Sequence, residues 1–182
     1  MGTKNYLIEG GSGTGKTTVA EELERRGYHV VHGDRTLAYY GDPETGHPMQ
    51  PPHLEAEADK VSWGYQHWIW PVAQVKTLLA DQTAPISFFC GHSENSAHFS
   101  MLFHGVFVLE VYAEVLRNRL DKRPEDEFGG RPIERELVMR LHKTRQNFLA
   151  GAVSIDASQP VDRVVDDILS RCSPTQADEQ RS

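Results

Sequence analysis

Cysteine is scarce in these 182 residues, with only Cys90 and Cys172. They stand far apart and match no metal-ligand spacing, so a zinc ribbon or a disulfide framework is excluded and reduced thiols are expected. No apolar run approaches the roughly 20 residues needed to cross a bilayer. No secretory leader is read, and a cytoplasmic protein with no membrane partner is expected. Internal repeats are also missing. Positive charge is in deficit, 19 Lys and Arg against 26 Asp and Glu. That balance argues against a nucleic-acid-coating surface, although Arg117, Arg119, Lys122 and Arg123 cluster locally. What is left suits one globular domain over residues 1–172, with a frayed polar tail over 173–182.

Glycine, by contrast, is concentrated where it matters. Tyr6, Leu7 and Ile8 read as a buried strand. Residues 10–17, GGSGTGKT, follow at once and fit G-x-x-x-x-G-K-[ST]. Val19, Ala20 and Leu23 then mark an amphipathic helix. Glycines leave room for backbone to wrap a phosphate and tolerate positive φ. Loop N–H groups and the helix N-terminus offer partial positive charge. Gly11, Ser12, Gly13, Thr14, Gly15, Lys16, Thr17 and Thr18 are therefore the expected nucleotide-binding residues. Lys16 reaches for β- and γ-phosphates, and Thr17 for a magnesium ion. An ordinary glycine-rich turn before a helix is the competing reading, and it leaves the match of motif and flanks unexplained.

Further strands are expected at Tyr28, Val30 and Val31, then at 86–91 (ISFFCG), 106–111 and 153–156. Ligands of open α/β sheets sit beyond the carboxyl ends of strands. Asp34 and Arg35 should thus enter the cleft facing the glycine loop, unless they form a solvated ion pair on a surface turn. His92, Ser93, Glu94 and Asn95 follow the third strand into the same cleft, unless Ser93 merely caps a helix. Residues 38–59 lack periodicity and read as a binding loop or lid. Within it, Tyr39 and Tyr40 either stack on a substrate or pack under the loop. Residues 59–80 carry a helical pattern that Pro71 should split in two. Trp63, Trp68 and Trp70 in it read mainly as core, with one of them or His67 free to line a pocket. Residues 133–148 and the stretch from Val161 read as the last helices, and 113–120 as an earlier one. Arg119, Arg123 and Arg131 flank an acidic, glycine-containing loop at 122–132. They read either as cations for a transferring phosphoryl group or as solvated ion pairs.

Strands alternating with helices imply an α/β fold, a five-stranded parallel sheet with helices on both faces. Over most of residues 5–170 the chain resembles the small P-loop kinases, the group of nucleoside, nucleoside monophosphate, shikimate and gluconate kinases. The likeness is carried by GGSGTGKTT at 10–18, GDR at 33–35, RLDKRPEDEFGGRP at 119–132 and IDAS at 155–158. It implies a three-layer P-loop NTPase fold with a short LID at 122–132, ATP and Mg²⁺ as cofactors, and a small-molecule acceptor, with a homodimer left open. Lys16, Asp34, Arg119 and Arg123 would be catalytic, and Thr17 and Asp34 would meet the metal. Ala157 and Ser158 would hold adenine, and Asp34, Arg35, Tyr39, His92, Glu94 and Asn95 the acceptor. Two departures stand out. Phe89 or Cys90 takes the place of the acid expected at the end of the third strand, leaving Asp34, Glu94 or water to replace it. The arginine that grips a monophosphate after that strand is also missing, which points to a neutral acceptor such as a nucleoside. The alternatives are a nucleotide-binding ATPase or switch without an acceptor, and a resistance phosphotransferase for a natural product.

Overall fold

The computed structural model describes residues 4–144, 149 and 151–172. The expected continuation of a helix through Phe148 and the polar tail at 173–182 lie outside them. Five parallel strands form the main sheet: β1 (Lys4–Glu9), β2 (His29–His32), β5 (Ile86–Cys90), β6 (Gly105–Glu110) and β7 (Val153–Asp156), in the order β2-β5-β1-β6-β7. β1 is central. Its Ile8 pairs with Cys90 on one side and Phe107 on the other. The chain leaves β1 toward β2 and β5 first, and reaches β6 and β7 on the far side later. Backbone connections therefore diverge beside β1, which opens a crevice at its carboxyl end.

Side chains alternate across β1, and that alternation builds two cores. Tyr6 and Ile8 face α1 (Lys16–Arg25), α5 (Ala113–Asp121) and α7 (Val161–Cys172), where Val19, Leu23, Leu116, Leu120, Val165 and Ile168 complete a buried cluster. Leu7 faces Trp70, Val75, Phe89, Phe99 and Phe103 on the opposite side, under α4 (Val72–Ala80). A smaller cluster of Val61, Tyr65 and Leu137 joins α3 (Glu57–Gln66) to α6 (Pro132–Thr144). Helices thus cover both faces, as expected. No helix among the described residues is long and apolar enough to cross a membrane.

Three local expectations change. Asp34 and Arg35 lie not in a turn but in a short helix, α2 (Gly33–Thr36). The helical pattern at 59–80 is broken before Pro71: Trp68 and Ile69 form β4, antiparallel to Tyr39–Tyr40 of β3. The 38–59 stretch is consequently ordered over part of its length, with Gly41 bridged to Pro48 and Asp42 closing a turn on the Glu44 and Thr45 N–H groups. Pairing distant in sequence overrides helical periodicity here.

Candidate active site

The loop between β1 and α1 forms the cradle the spacing predicts. Gly13 and Gly15 have φ of 81° and 103°, a left-handed backbone that favours glycine. Lys16 donates from Nζ to the Gly10 and Gly11 carbonyls at 2.7 and 3.0 Å. Desolvation lowers its pKa, and the nearby Asp34 and Glu9 carboxyls oppose that shift. Thr17 and Thr18 are exposed to the cleft. Arg119 bonds the Thr14 carbonyl at 3.0 Å and the Ala157 carbonyl at 2.8 Å, which ties the cradle to the turn after β7. Burial pushes its pKa down.

The loop between α5 and α6 lies over this cradle. Ser12 Oγ donates to the Phe128 carbonyl at 3.0 Å and accepts from Arg123 Nη1 at 3.3 Å. Arg131 bridges Glu134 at 2.6 Å and Glu57 of α3 at 2.9 Å. The buried Glu134 carboxylate also accepts the Gly129 N–H at 2.9 Å. Arg119 and Arg123 therefore meet the cradle directly, whereas Arg131 holds the roof to the opposite wall.

Asp34 occupies that wall. Its Oδ1 accepts from the His92 N–H at 2.9 Å and Trp68 Nε1 at 3.4 Å. Its placement depends on Trp70, fully buried under both α2 and the end of β5. A Cβ on Gly33 would lie 2.0 Å from the Trp70 ring. One on Gly91 would lie 2.5 Å from that ring and 2.9 Å from Asp34 Oδ1. His92 bonds Glu94 through Nε2 at 2.9 Å and stacks on Tyr65 at 4.8 Å. One cleft of about 1170 Å³ runs from Thr17, Arg119 and Ala157, past Lys16 and Asp34, to Arg35, Tyr40, Tyr65 and Trp68.

Several expected site residues are placed elsewhere. Asn95 is buried and turned to Trp70: Oδ1 accepts the Trp70 N–H at 3.0 Å and Nδ2 donates to its carbonyl at 2.9 Å. Ser93 shares that N–H, so both residues fix Trp70 rather than line the cleft. Tyr39 bonds the Gly46 carbonyl at 2.7 Å, and its neighbour Tyr40 lines the cleft instead, because adjacent strand residues face opposite sides. Ser158, expected at the adenine end, accepts the Tyr112 N–H at 3.2 Å, while Ala157, Gln159 and Pro160 of that turn line the cleft. Glu94 orients His92 from behind.

Two acids escaped the sequence reading. Glu134 sits in the first turn of a helix, where an acid is unremarkable. Glu9 ends an apolar strand and is only 2% exposed. The signal was present, since a carboxylate terminates an otherwise apolar run. Burial raises its pKa to about 7, with His92, Ser96 and Lys16 opposing and Asp34 reinforcing that shift.

The cradle, its position beside the central strand and the arginine-bearing roof make this the fold of the P-loop kinases. Three of the solved structures that share it illustrate the likeness. A sugar kinase from Janibacter sp. HTCC2649 is 19% identical, with 92% of this chain and 93% of that one covered at a TM-score of 0.54. A gluconokinase from Sinorhizobium meliloti 1021 is 20% identical, with 98% of each chain covered and a TM-score of 0.55. A shikimate kinase from Bacteroides thetaiotaomicron is 13% identical, with 93% and 98% covered and a TM-score of 0.56. Neither a family model nor a curated protein matches this chain. At such identities the likeness concerns the fold, and the chemistry is argued from the site.

Proposed function

We propose that the protein is an ATP-dependent phosphotransferase that moves the γ-phosphoryl group of Mg-ATP to a hydroxyl of a small, neutral molecule, a nucleoside or a compound like it. The observation that carries this reading is that one and the same cleft has the glycine cradle at one end and an exposed carboxylate, Asp34, across from Lys16. The three solved structures of the same fold, a sugar kinase, a gluconokinase and a shikimate kinase, support it.

Gly11, Ser12, Gly13, Thr14 and Gly15 surround the phosphates, and Ala157 meets the base. Lys16 leaves the Gly10 and Gly11 carbonyls for the β- and γ-oxygens. Asp34 orients the acceptor hydroxyl and takes its proton as the acceptor oxygen bonds to the γ-phosphorus. The bond from that phosphorus to the β–γ bridging oxygen breaks, and ADP keeps the electron pair. Arg119 and Arg123 offset charge that spreads over the transferring group. The roof excludes water, which competes as acceptor. Hard oxygen donors at Thr17 and Asp34 suit magnesium, and both residues would hold it. When bound, the ion neutralises charge on the β- and γ-oxygens.

The acceptor end supports a flat, uncharged molecule. Tyr40, Tyr65 and Trp68 line it, and Arg131 is engaged by two carboxylates. Arg35, exposed on the same wall, is available to a polar substituent. A resistance phosphotransferase would use the same parts. ADP release with ATP and a panel of nucleosides, sugars and antibiotics tests the reading, which expects release to depend on one acceptor. Lys16→Ala should abolish that turnover and leave the fold intact by circular dichroism. Normal transfer by this variant refutes the assignment.

A second reading, a nucleotide-dependent switch with slow hydrolysis, is favoured by Cys90. Its buried thiol stands at the end of β5, and burial pushes its pKa up. ADP release indifferent to every acceptor would support that reading.

A further inference from the structure

β1 is apolar and buried from Tyr6 to Ile8 and ends in a carboxylate equally buried. An ionised group so placed costs several kcal/mol unless it is paired. Glu9 is incompletely paired. Among the described residues its Oε1 has no hydrogen-bond partner and no contact with solvent. His92 and Lys16 act on Glu9 as positive charges, yet the Lys16 Nζ is directed to two backbone carbonyls. Asp34 acts on Glu9 as a like charge. Two carboxylates and a set of phosphates meeting at one place call for a cation.

The adjoining strand explains which cation. β5 ends in Cys90, which lies opposite Ile8 in the β1 register. Glu9 is the next residue after Ile8, at the base of the same cradle. The carboxylate missing from β5 is thus present on the neighbouring strand, one position further along. Magnesium takes oxygen ligands, keeps several waters, and is commonly held by one or two carboxylates together with nucleotide phosphates. Among the described residues no three His, Cys, Asp or Glu side chains could hold a metal without such phosphates.

We propose that Glu9 anchors the water shell of the magnesium ion that accompanies the nucleotide, in place of the acid absent from the end of β5. The proposal rests on reading the cleft as a Mg-nucleotide site. It assigns Glu9 a positioning role: the residue acts on the ion's waters, while Thr17 and Asp34 stand nearer the transfer. It also explains why a buried charge is kept at a position where the strand would otherwise be apolar.

Calorimetry of the full chain with β,γ-imido-ATP, once with magnesium and once with EDTA, tests this. The unaltered chain should bind more tightly with magnesium. Glu9→Gln should lose about 10- to 100-fold of that magnesium-dependent gain, the range seen when an outer-shell partner of a metal is removed. Its affinity in EDTA should match the unaltered chain. The free Glu9→Gln protein should also melt at a higher temperature, since a buried, half-paired charge is gone, whereas a purely structural carboxylate would leave a destabilised chain. Glu9→Met, apolar and of similar volume, repeats the test if the amide finds a new partner. A full magnesium gain in both variants overturns the proposal. A chain that binds the analogue equally with and without magnesium overturns it while sparing the nucleotide site. Failure to bind in either buffer removes both readings.

Discussion

Asp34 depends on its neighbours for position. It sits in a helix of only four residues, its Oδ1 held by a backbone N–H just beyond the neighbouring strand, β5. Trp70 pushes on both supports, and glycine at 33 and 91 is what lets the ring lie so close. Gly91→Ala should therefore act on the reaction through Asp34. A Cβ only 2.5 Å from a buried ring must displace it, at a folding cost of about 1–3 kcal/mol for an overpacked core. Asp34→Asn should cost about 10²–10⁴-fold in kcat if the carboxylate is the general base. Gly91→Ala should fall in kcat in the same direction with little change in nucleotide affinity. Unchanged kcat for Asp34→Asn would move the base to another group; unchanged kcat for Gly91→Ala alone would show that Asp34 tolerates displacement. The motif GDR made Asp34 legible from sequence. Nothing local announced that Ser93 and Asn95 turn away from it, because both are polar residues at a strand's end and differ from His92 only in what lies above them.

Among the elements, the roof over the cradle is the one whose closure has a visible latch. Arg131 joins the 122–131 loop and α6 to α3 through Glu57, and the Phe128 carbonyl rests on Ser12. The ion pairs of Arg131 are partly solvated, its side chain being 43% exposed, so their effect on folding should be small. Their effect on water exclusion should be larger. Arg131→Met is expected to raise acceptor-independent ADP release relative to acceptor-dependent release, with the melting temperature shifted by a few degrees at most. A ratio equal to that of the unaltered chain would show that the roof closes without this latch. The loop and its flanking helices were readable in the sequence, because glycine, proline and alternating charge mark a break between two periodic stretches. The β3–β4 pair was not. Trp68 and Ile69 continue a three-and-four spacing, and only contact with Tyr39 and Tyr40 tells the chain to leave the helix.

For the molecule as a whole, Glu9 couples stability to pH. Its carboxyl has an ordinary value of 4.5 and is raised to about 7 in the fold. Between those values the native state keeps a proton that the unfolded chain has released, so stability falls as pH rises through that window and levels off above it. The full change is about 3 kcal/mol, taking ~1.4 kcal/mol per unit of pKa. Urea unfolding of the nucleotide-free chain at several pH values, against Glu9→Gln, should show the two stabilities diverging as pH rises from 4.5 to 7, with the variant the more stable. Parallel curves would mean that Glu9 titrates normally.

Sequence by itself determined the glycine cradle with Lys16 and Thr17, the five strands, the helices on their two faces and the arginine-bearing loop. Each is written in residues close together, where backbone sterics and the periods of 2 and 3.6 act. Tertiary structure alone decided that Tyr40 rather than Tyr39 faces the cleft, that Asn95 serves Trp70, and that Glu9 lies beside Lys16 and Asp34. Those outcomes depend on which strands become neighbours and in what register, and that is settled by burying apolar faces across the sheet, between residues far apart along the chain.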